Sequence, residues 1–233
     1  MLGYRKMLDR LRRLKKAGYV QTHRIGNTGI GKTLEDLLGI KENNIPGPNG
    51  RMIELKSARK NAKSMLTLFT KSPLPAKANT ALVNALGYSV NGGRKELHTT
   101  LNARSYNRLK GKIGLKIGIR NNKLLILDSN GKQYGYWDEK TLMASFQRKL
   151  PKIVYVKADV KGKGSSEEFW FNEVWLLSGF SFRNFIKLLK QGIVLVDIRI
   201  GQYSNGKAHD HGTGFRVHPN KLELCFSTRK KVL

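Results

Sequence analysis

Apolar positions recur at helical spacing over residues 2–17. Leu2, Met7, Leu8, Leu11 and Leu14 share a face with Arg and Lys between them, which predicts an amphipathic helix ended by Gly18. Its basic side reads as a solvated face, with phosphate tracking as the alternative. Residues 32–39 repeat the pattern on a smaller scale. Thr33 and Asp36 make a capping pair, Leu34, Leu37 and Leu38 turn to a core, Gly39 stops the helix, and Glu35 points elsewhere. The period then shortens to two. Over residues 51–57, Ile53 and Leu55 take one side and Glu54 and Lys56 the other, as on a strand. Residues 65–69, 113–119, 123–128, 152–158, 193–200 and 215–218 also read as strands, and residues 138–148 and 181–191 as helices. Asn121–Asn122 reads as a hairpin turn, and residues 201–214 as a Gly-rich polar loop. Strands mixed with helices argue an α/β fold with a mixed sheet.

Charge narrows the choice of partner. The 233 residues hold 44 Lys and Arg against 16 Asp and Glu, a net +28. A local patch would serve a small acidic ligand. A surplus of this size points to a polyanion, above all nucleic acid. A single cysteine, Cys225, excludes an internal disulfide and a cysteine-based zinc site. No segment approaches a membrane-spanning apolar run and the N-terminus lacks a signal-peptide core, so the expected location is the cytoplasm, with no membrane partner.

Where acids are scarce, those present carry more information. The first 120 residues hold Asp9, Glu35, Asp36, Glu42, Glu54 and Glu96. Glu54 and Lys56, two apart on a strand, project from one face. A carboxylate beside an amine suits metal-assisted phosphodiester hydrolysis: the carboxylate holds Mg²⁺ and the amine holds or polarises the attacking water. Glu-x-Lys alone is a weak signal.

Two other motifs compete. Gly26-Asn-Thr-Gly-Ile-Gly-Lys-Thr33 fits the nucleotide-binding pattern G-x-x-x-x-G-K-[ST]. That loop normally follows a buried apolar strand, and here Gln21-Thr-His-Arg24 precedes it. Asp197-Ile-Arg199, His209-Asp-His-Gly212 and Phe215-Arg216 gather Arg, His and Asp near one loop. Such a set suits base-edge reading, with Arg on guanine O6 and N7 and Asp accepting from cytosine N4. A zinc reading of His-x-His is the weaker alternative.

Taken in order, Gly26-Asn-Thr-Gly-Ile-Gly-Lys-Thr-Leu-Glu-Asp-Leu-Leu38, Ile53-Glu-Leu-Lys56, Ala62-Lys-Ser-Met-Leu-Thr-Leu-Phe-Thr-Lys-Ser-Pro73, Val196-Asp-Ile-Arg-Ile-Gly201 and His209-Asp-His-Gly-Thr213 resemble the MvaI/BcnI family of restriction endonucleases, a MutH-related group. Residues 75–190 match loosely. The resemblance implies a restriction-endonuclease-like core: a mixed β-sheet flanked by helices, in two lobes around a DNA-binding cleft. It implies one endonuclease domain over residues 1–233, with a catalytic lobe at roughly 20–160 and a recognition lobe at roughly 170–233. It implies a monomeric, Mg²⁺-dependent type II site-specific deoxyribonuclease that cuts duplex DNA at a short CC-N-GG pseudopalindrome, protected in its host by a cognate DNA methyltransferase. The family pattern Asp-x4-Glu-x-Lys with an earlier helical Glu falls on Glu54, Lys56 and Glu35, but Asn49 stands where the family has Asp. A neutral carbonyl there weakens the metal site. Arg199, His209, Asp210, His211 and Arg216 fall at the positions marked for base contacts. His211 stands where the family's two namesakes differ, histidine in one and arginine in the other, which implies a central A·T or T·A pair. Asn102, Arg104 and Tyr106 read as loop surface or as backbone contacts. A basic DNA- or RNA-binding protein without catalysis and a P-loop NTPase remain the alternative classes.

Overall fold

The computed structural model describes residues 3–40, 53–90, 92–109, 113–149 and 152–233. The chain runs through α1 (Tyr4–Ala17), β1 (Val20–Gln21), α2 (Gly29–Leu37), β2 (Glu54–Arg59), β3 (Leu66–Thr70), α3 (Ala78–Leu86), β4 (Tyr88–Ser89) and β5 (Lys95–Leu101). It continues through β6 (Leu115–Arg120), β7 (Lys123–Asp128), β8 (Gln133–Asp138), α4 (Glu139–Lys149), β9 (Lys152–Lys161) and β10 (Glu168–Ser178). Last come α5 (Phe182–Lys190), β11 (Val194–Gln202), β12 (Ala208–Asp210), β13 (Gly214–Val217), a 3₁₀ turn (Pro219–Cys225) and β14 (Thr228–Lys231). Two compact units emerge: Met1–Leu66, Gln147–Ser181 and His218–Leu233 form the first, and Thr67–Phe146 and Phe182–Val217 the second. Both interleave along the chain, each drawing on separated segments.

In the first unit the strand order is β1-β10-β9-β2, with β14 also on β10. β2 runs parallel to β9, while β9, β10, β1 and β14 pair antiparallel, which makes the sheet mixed. One face carries Leu55, Val154, Val156, Ala158, Phe169, Phe171 and Val174 into a core with Met7 and Leu11 of α1, Ile30 and Leu34 of α2, and Leu38 just after it. The helical period of residues 2–17 thus does what it predicts, and Gly18 ends α1 at φ +81°. β10 escaped the sequence reading because a bulge between Phe171 and Glu173 breaks its alternation.

α2 begins at Gly29, a turn earlier than the capping pair predicts. Thr33 is not a cap. It is buried within the helix, and its hydroxyl accepts from the His23 N–H at 2.9 Å. Asp36 pairs with Lys32 instead.

The second unit holds two sheets, β3-β13-β11-β5-β4 with β12 on β11, and β6-β7-β8. The Asn121–Asn122 hairpin is present, both residues at positive φ (47° and 56°), the geometry that a two-residue turn between twisted strands requires. Aromatics fill the core: Phe69 stacks on Phe215 at 4.8 Å between ring centres, and Trp137 meets Phe215 edge to face at 5.5 Å. The expected loop 201–214 is largely a hairpin, because β12 folds back on β11 with Gly201 opposite His209.

Candidate active site and nucleic-acid interface

In the first unit, strand alternation sends Leu55 into the core and Glu54 and Lys56 to the opposite face of β2. Glu54 is 6% exposed, and Lys56 Nζ donates to its Oε1 at 3.4 Å. A carboxylate and an ammonium therefore share one face of β2, both shielded from water. Glu35 is half-buried on α2, which packs on β2. Asn49 lies outside the described residues. Beside Lys56, on the neighbouring strand, stands Tyr155. It is fully buried, its hydroxyl has no hydrogen-bond partner among the described residues, and burial, with the Glu223 and Glu173 carboxylates, pushes its pKa up. Two residue pairs further, Lys157 sits between Glu173 at 3.2 Å and Glu223 at 3.1 Å. Burial pulls this ammonium down, but bonds to the two carboxylates outweigh it and leave its pKa raised.

The nucleotide-loop pattern of residues 26–33 is accounted for by packing. β1, which precedes it, is an edge strand paired antiparallel to β10 rather than a buried parallel strand. Lys32 Nζ binds Asp36 at 2.6 Å, and Thr33 is engaged by His23. Bonds from Lys32 and His23 hold the Asp36 carboxyl below its ordinary value. Gly29 is required by close approach, since a Cβ there would stand 2.1 Å from the Arg24 carbonyl oxygen. Arg59 ties the loop down, donating to the Gly26 carbonyl at 3.0 Å while it forks onto Glu167 at 2.7 and 2.6 Å.

In the second unit, β11 buries Val196, Ile198 and Ile200 and turns Asp197, Arg199 and Gly201 the other way. Register then adds neighbours to that face: Thr100 opposite Asp197 and His98 opposite Arg199 on β5, and Arg216 opposite Leu195 on β13. Asp197 is nearly buried, and its Oδ2 lies 2.6 Å from Arg199 Nε and 2.7 Å from Arg216 Nε. Thr100 donates to the other oxygen at 3.1 Å. One carboxylate thus orients two guanidiniums. Arg199 is the more open, with 46% of its side chain exposed, and its terminal amino groups have no partner among the described residues. Arg216 is further fixed by Thr67 and by the Gly212 carbonyl. Burial lowers its pKa against the pull of Asp197.

Three imidazoles crowd this face. His209 and His211 meet edge to face at 4.4 Å between ring centres, and His98 meets His211 at 6.1 Å. Tyr203 bonds His209 Nδ1 at 2.6 Å. Asp210, expected at a base edge, is occupied by the chain itself. Its carboxylate accepts from Ser72 and Asn79 at 2.5 and 3.1 Å and from the Gly212 and Thr213 N–H groups at 2.9 and 2.6 Å. Burial pushes this carboxyl up, but those four bonds outweigh it and hold it below its ordinary value.

Sequence reasoning missed Asp197 as an anchor and His98 altogether. The signal for His98 was present in Lys95-Glu-Leu-His-Thr-Thr-Leu101, where Leu97 and Leu101 are buried and Glu96, His98 and Thr100 alternate with the inward positions.

Comparison with known proteins shows the family. The profile of the MvaI/BcnI restriction endonuclease family matches residues 8–226. Among solved structures, the chain is similar to a restriction endonuclease MvaI–cognate DNA substrate complex, with 32% identity, full coverage of both chains and a TM-score of 0.87. It is also similar to restriction endonuclease MvaI in the absence of DNA, with 32% identity, coverage of 100% and 99%, and a TM-score of 0.62. None of the curated proteins compared matches this chain.

Proposed function

We build our proposal on one premise: this chain belongs to the MvaI/BcnI restriction endonuclease family and is a nuclease that acts on DNA. We propose that it is a type II enzyme that hydrolyses duplex DNA at a CC-N-GG site with a central A·T or T·A pair. The observation that supports sequence reading most directly is Asp197, whose one oxygen faces both Arg199 and Arg216. Arg199, held at Nε, keeps its outer edge free and planar, the form in which Arg takes guanine O6 and N7, while Arg216 beside it has its terminal nitrogens on Thr67 and the Gly212 carbonyl. His209 and His211 lie beside it as donors or acceptors for neighbouring edges. Asp210 shapes their loop, and its four bonds leave it little capacity for a base.

Cleavage rests on Glu54, Lys56, Glu35 and Asn49. The oxygen donors of Glu54, Glu35 and Asn49 suit a hard divalent cation, and Glu54, a shielded carboxylate, would hold Mg²⁺ with Asn49. The bound metal supplies charge neutralisation at the scissile phosphate. Lys56, 3.4 Å from Glu54, holds the attacking water and stabilises the charge that develops on it. Asn49 brings one negative charge fewer than Asp, so turnover should be slow while base reading, carried by another part of the chain, persists. A monomer is the proposed form, with a methyltransferase modifying the same site in the host.

The test is a panel of duplexes and one-site plasmids differing only at the central pair, with Mg²⁺ present. The expected result is tightest binding and most cleavage with central A·T or T·A. Tightest binding with central G·C, or equal affinity for scrambled duplexes, overturns the reading.

A further inference from the structure

The sheet of the first unit has two faces, and they differ in what lies on them. Glu54 and Lys56 project from one. α1 covers the other, with Met7 and Leu11 fully buried and Leu8 and Leu14 partly buried against the same core. The side of α1 turned away from the sheet is exposed and strongly basic: Arg5, Lys6, Arg12, Arg13, Lys15 and Lys16, with Asp9 as the only acid of the helix. On a helical wheel Arg5, Lys6, Arg12, Arg13 and Lys16 fill the arc opposite Met7 and Leu11, and Lys15 is exposed in the last turn. Arg5 and Arg12, like Lys6 and Arg13, stand seven residues apart, about 10 Å along a helix roughly 21 Å long.

Three observations make this more than a solubilising surface. Folding gains nothing from Arg5 and Lys6, because cations in a first helical turn oppose the helix dipole, and α1 has no acid there to offset them. Among the described residues Asp9 pairs with Arg12 at 2.7 Å, and the other outer cations lack such a partner on the helix. Arg10 has a structural task, since it donates to the Leu38 carbonyl, and it lies off the outer face. An anionic membrane would attract the same charges, but an interfacial helix inserts an apolar face, and that of α1 is committed to the core. A rod of phosphates needs no apolar contact and carries about one charge per 1.7 Å of duplex.

We propose that the outer face of α1 is a second duplex-DNA surface, holding the phosphate backbone of a segment other than the one engaged at Glu54 and Lys56. It takes its partner from the assigned family and does not depend on cleavage or on which bases are read. Its effect is to tether the enzyme to neighbouring DNA while the site-reading face is occupied.

The experiment saturates the full-length protein with a short site-bearing duplex, without Mg²⁺, and then titrates a labelled unrelated duplex, with stoichiometry read by sedimentation velocity. Two duplexes per protein are expected at about 50 mM salt, and the second should be lost by about 200 mM. Arg5→Gln, Lys6→Gln, Arg12→Gln and Arg13→Gln together should weaken the second duplex by about tenfold or more and lower its log-affinity slope against log salt by about 3, while binding of the first changes little. Arg12→Glu with Arg13→Glu should act in the same direction, with an unchanged melting temperature as the folding control. One duplex per protein at every salt concentration, or a second duplex indifferent to these substitutions, overturns the proposal. So does tighter binding to vesicles containing phosphatidylserine than to the unrelated duplex. If the site-bearing duplex fails to outcompete a scrambled one, base reading fails, and the second-duplex measurement still stands by itself.

Discussion

Arg216 lies against Asp197, Nε 2.7 Å from Oδ2, and both side chains are largely shielded from water. Because the same oxygen also faces Arg199, removing the carboxylate releases Arg199 and leaves Arg216, still bonded to Thr67 and Gly212, buried beside another cation without its counter-charge. Asp197→Ala should therefore cut the ratio of specific to non-specific DNA affinity by more than Arg199→Ala, which should cost about 1–3 kcal/mol at a G·C pair. Competition binding of site-bearing against scrambled duplex measures both. A variant whose ratio matches the parent would show that this anchor is dispensable.

His211 depends on a missing side chain. A Cβ at Gly201 would stand 2.6 Å from His211 Nε2, so Gly201→Ala must push the ring aside. The expected outcome is reduced discrimination at the central base pair with flanking G·C preference retained. Binding to the central-pair panel checks it, and an unchanged preference would mean that His211 does not read that pair.

Asp210 makes the loop sensitive to acid. Its folded pKa lies below the ordinary carboxylate value, so the native state binds fewer protons than the unfolded chain as that value is crossed. The stabilisation is fully present above about pH 4 and is lost as pH falls through the folded pKa. Asp210→Asn should cost roughly 1–3 kcal/mol at pH 7, and less once Asp210 itself is protonated. Urea midpoints of parent and variant at neutral and acid pH give the comparison. A gap that widens toward acid would contradict the sign.

Tyr155 offers a stabilising change. Its buried hydroxyl has no partner among the described residues, so Tyr155→Phe removes an uncompensated polar group while keeping the ring. Stability should rise by about 1 kcal/mol or more. A thermal midpoint that falls instead would reveal a bond made by the hydroxyl in solution.

Asn49→Asp tests the metal site from sequence alone. Restoring the family's charge should raise specific cleavage of a one-site plasmid by about two orders of magnitude or more. Fresh protein checked by mass is needed, because Asn49-Gly50 can deamidate to Asp. If the parent already turns over at about 1 s⁻¹ and the substitution adds nothing, the ligand lies elsewhere. Glu42 then comes before Asp36, whose carboxylate is taken by Lys32 and His23.

Local periodicity determined much of this protein. The spacing of Met7 and Leu11 fixes which side of α1 is buried, Asn121–Asn122 fixes a turn, and the alternation around Leu55 puts Glu54 and Lys56 on one face, because each depends only on residues a few positions apart. Motif order was enough to suggest the family. Only the tertiary structure decided what the polar side chains do once there. Asp210 is claimed by Ser72 and Asn79, 138 and 131 residues away, and Arg216 by Thr67, 149 away. Pattern carries no trace of such bonds, since either partner would look the same in the sequence if it faced water. The nucleotide-loop motif shows the reverse case: its residues fit, but an edge strand before it and the engagement of Lys32 and Thr33 give it another role. The interleaving of the two units has the same origin. Strands join the sheet whose buried face they complete, and that choice is made by long-range pairing rather than by position along the chain.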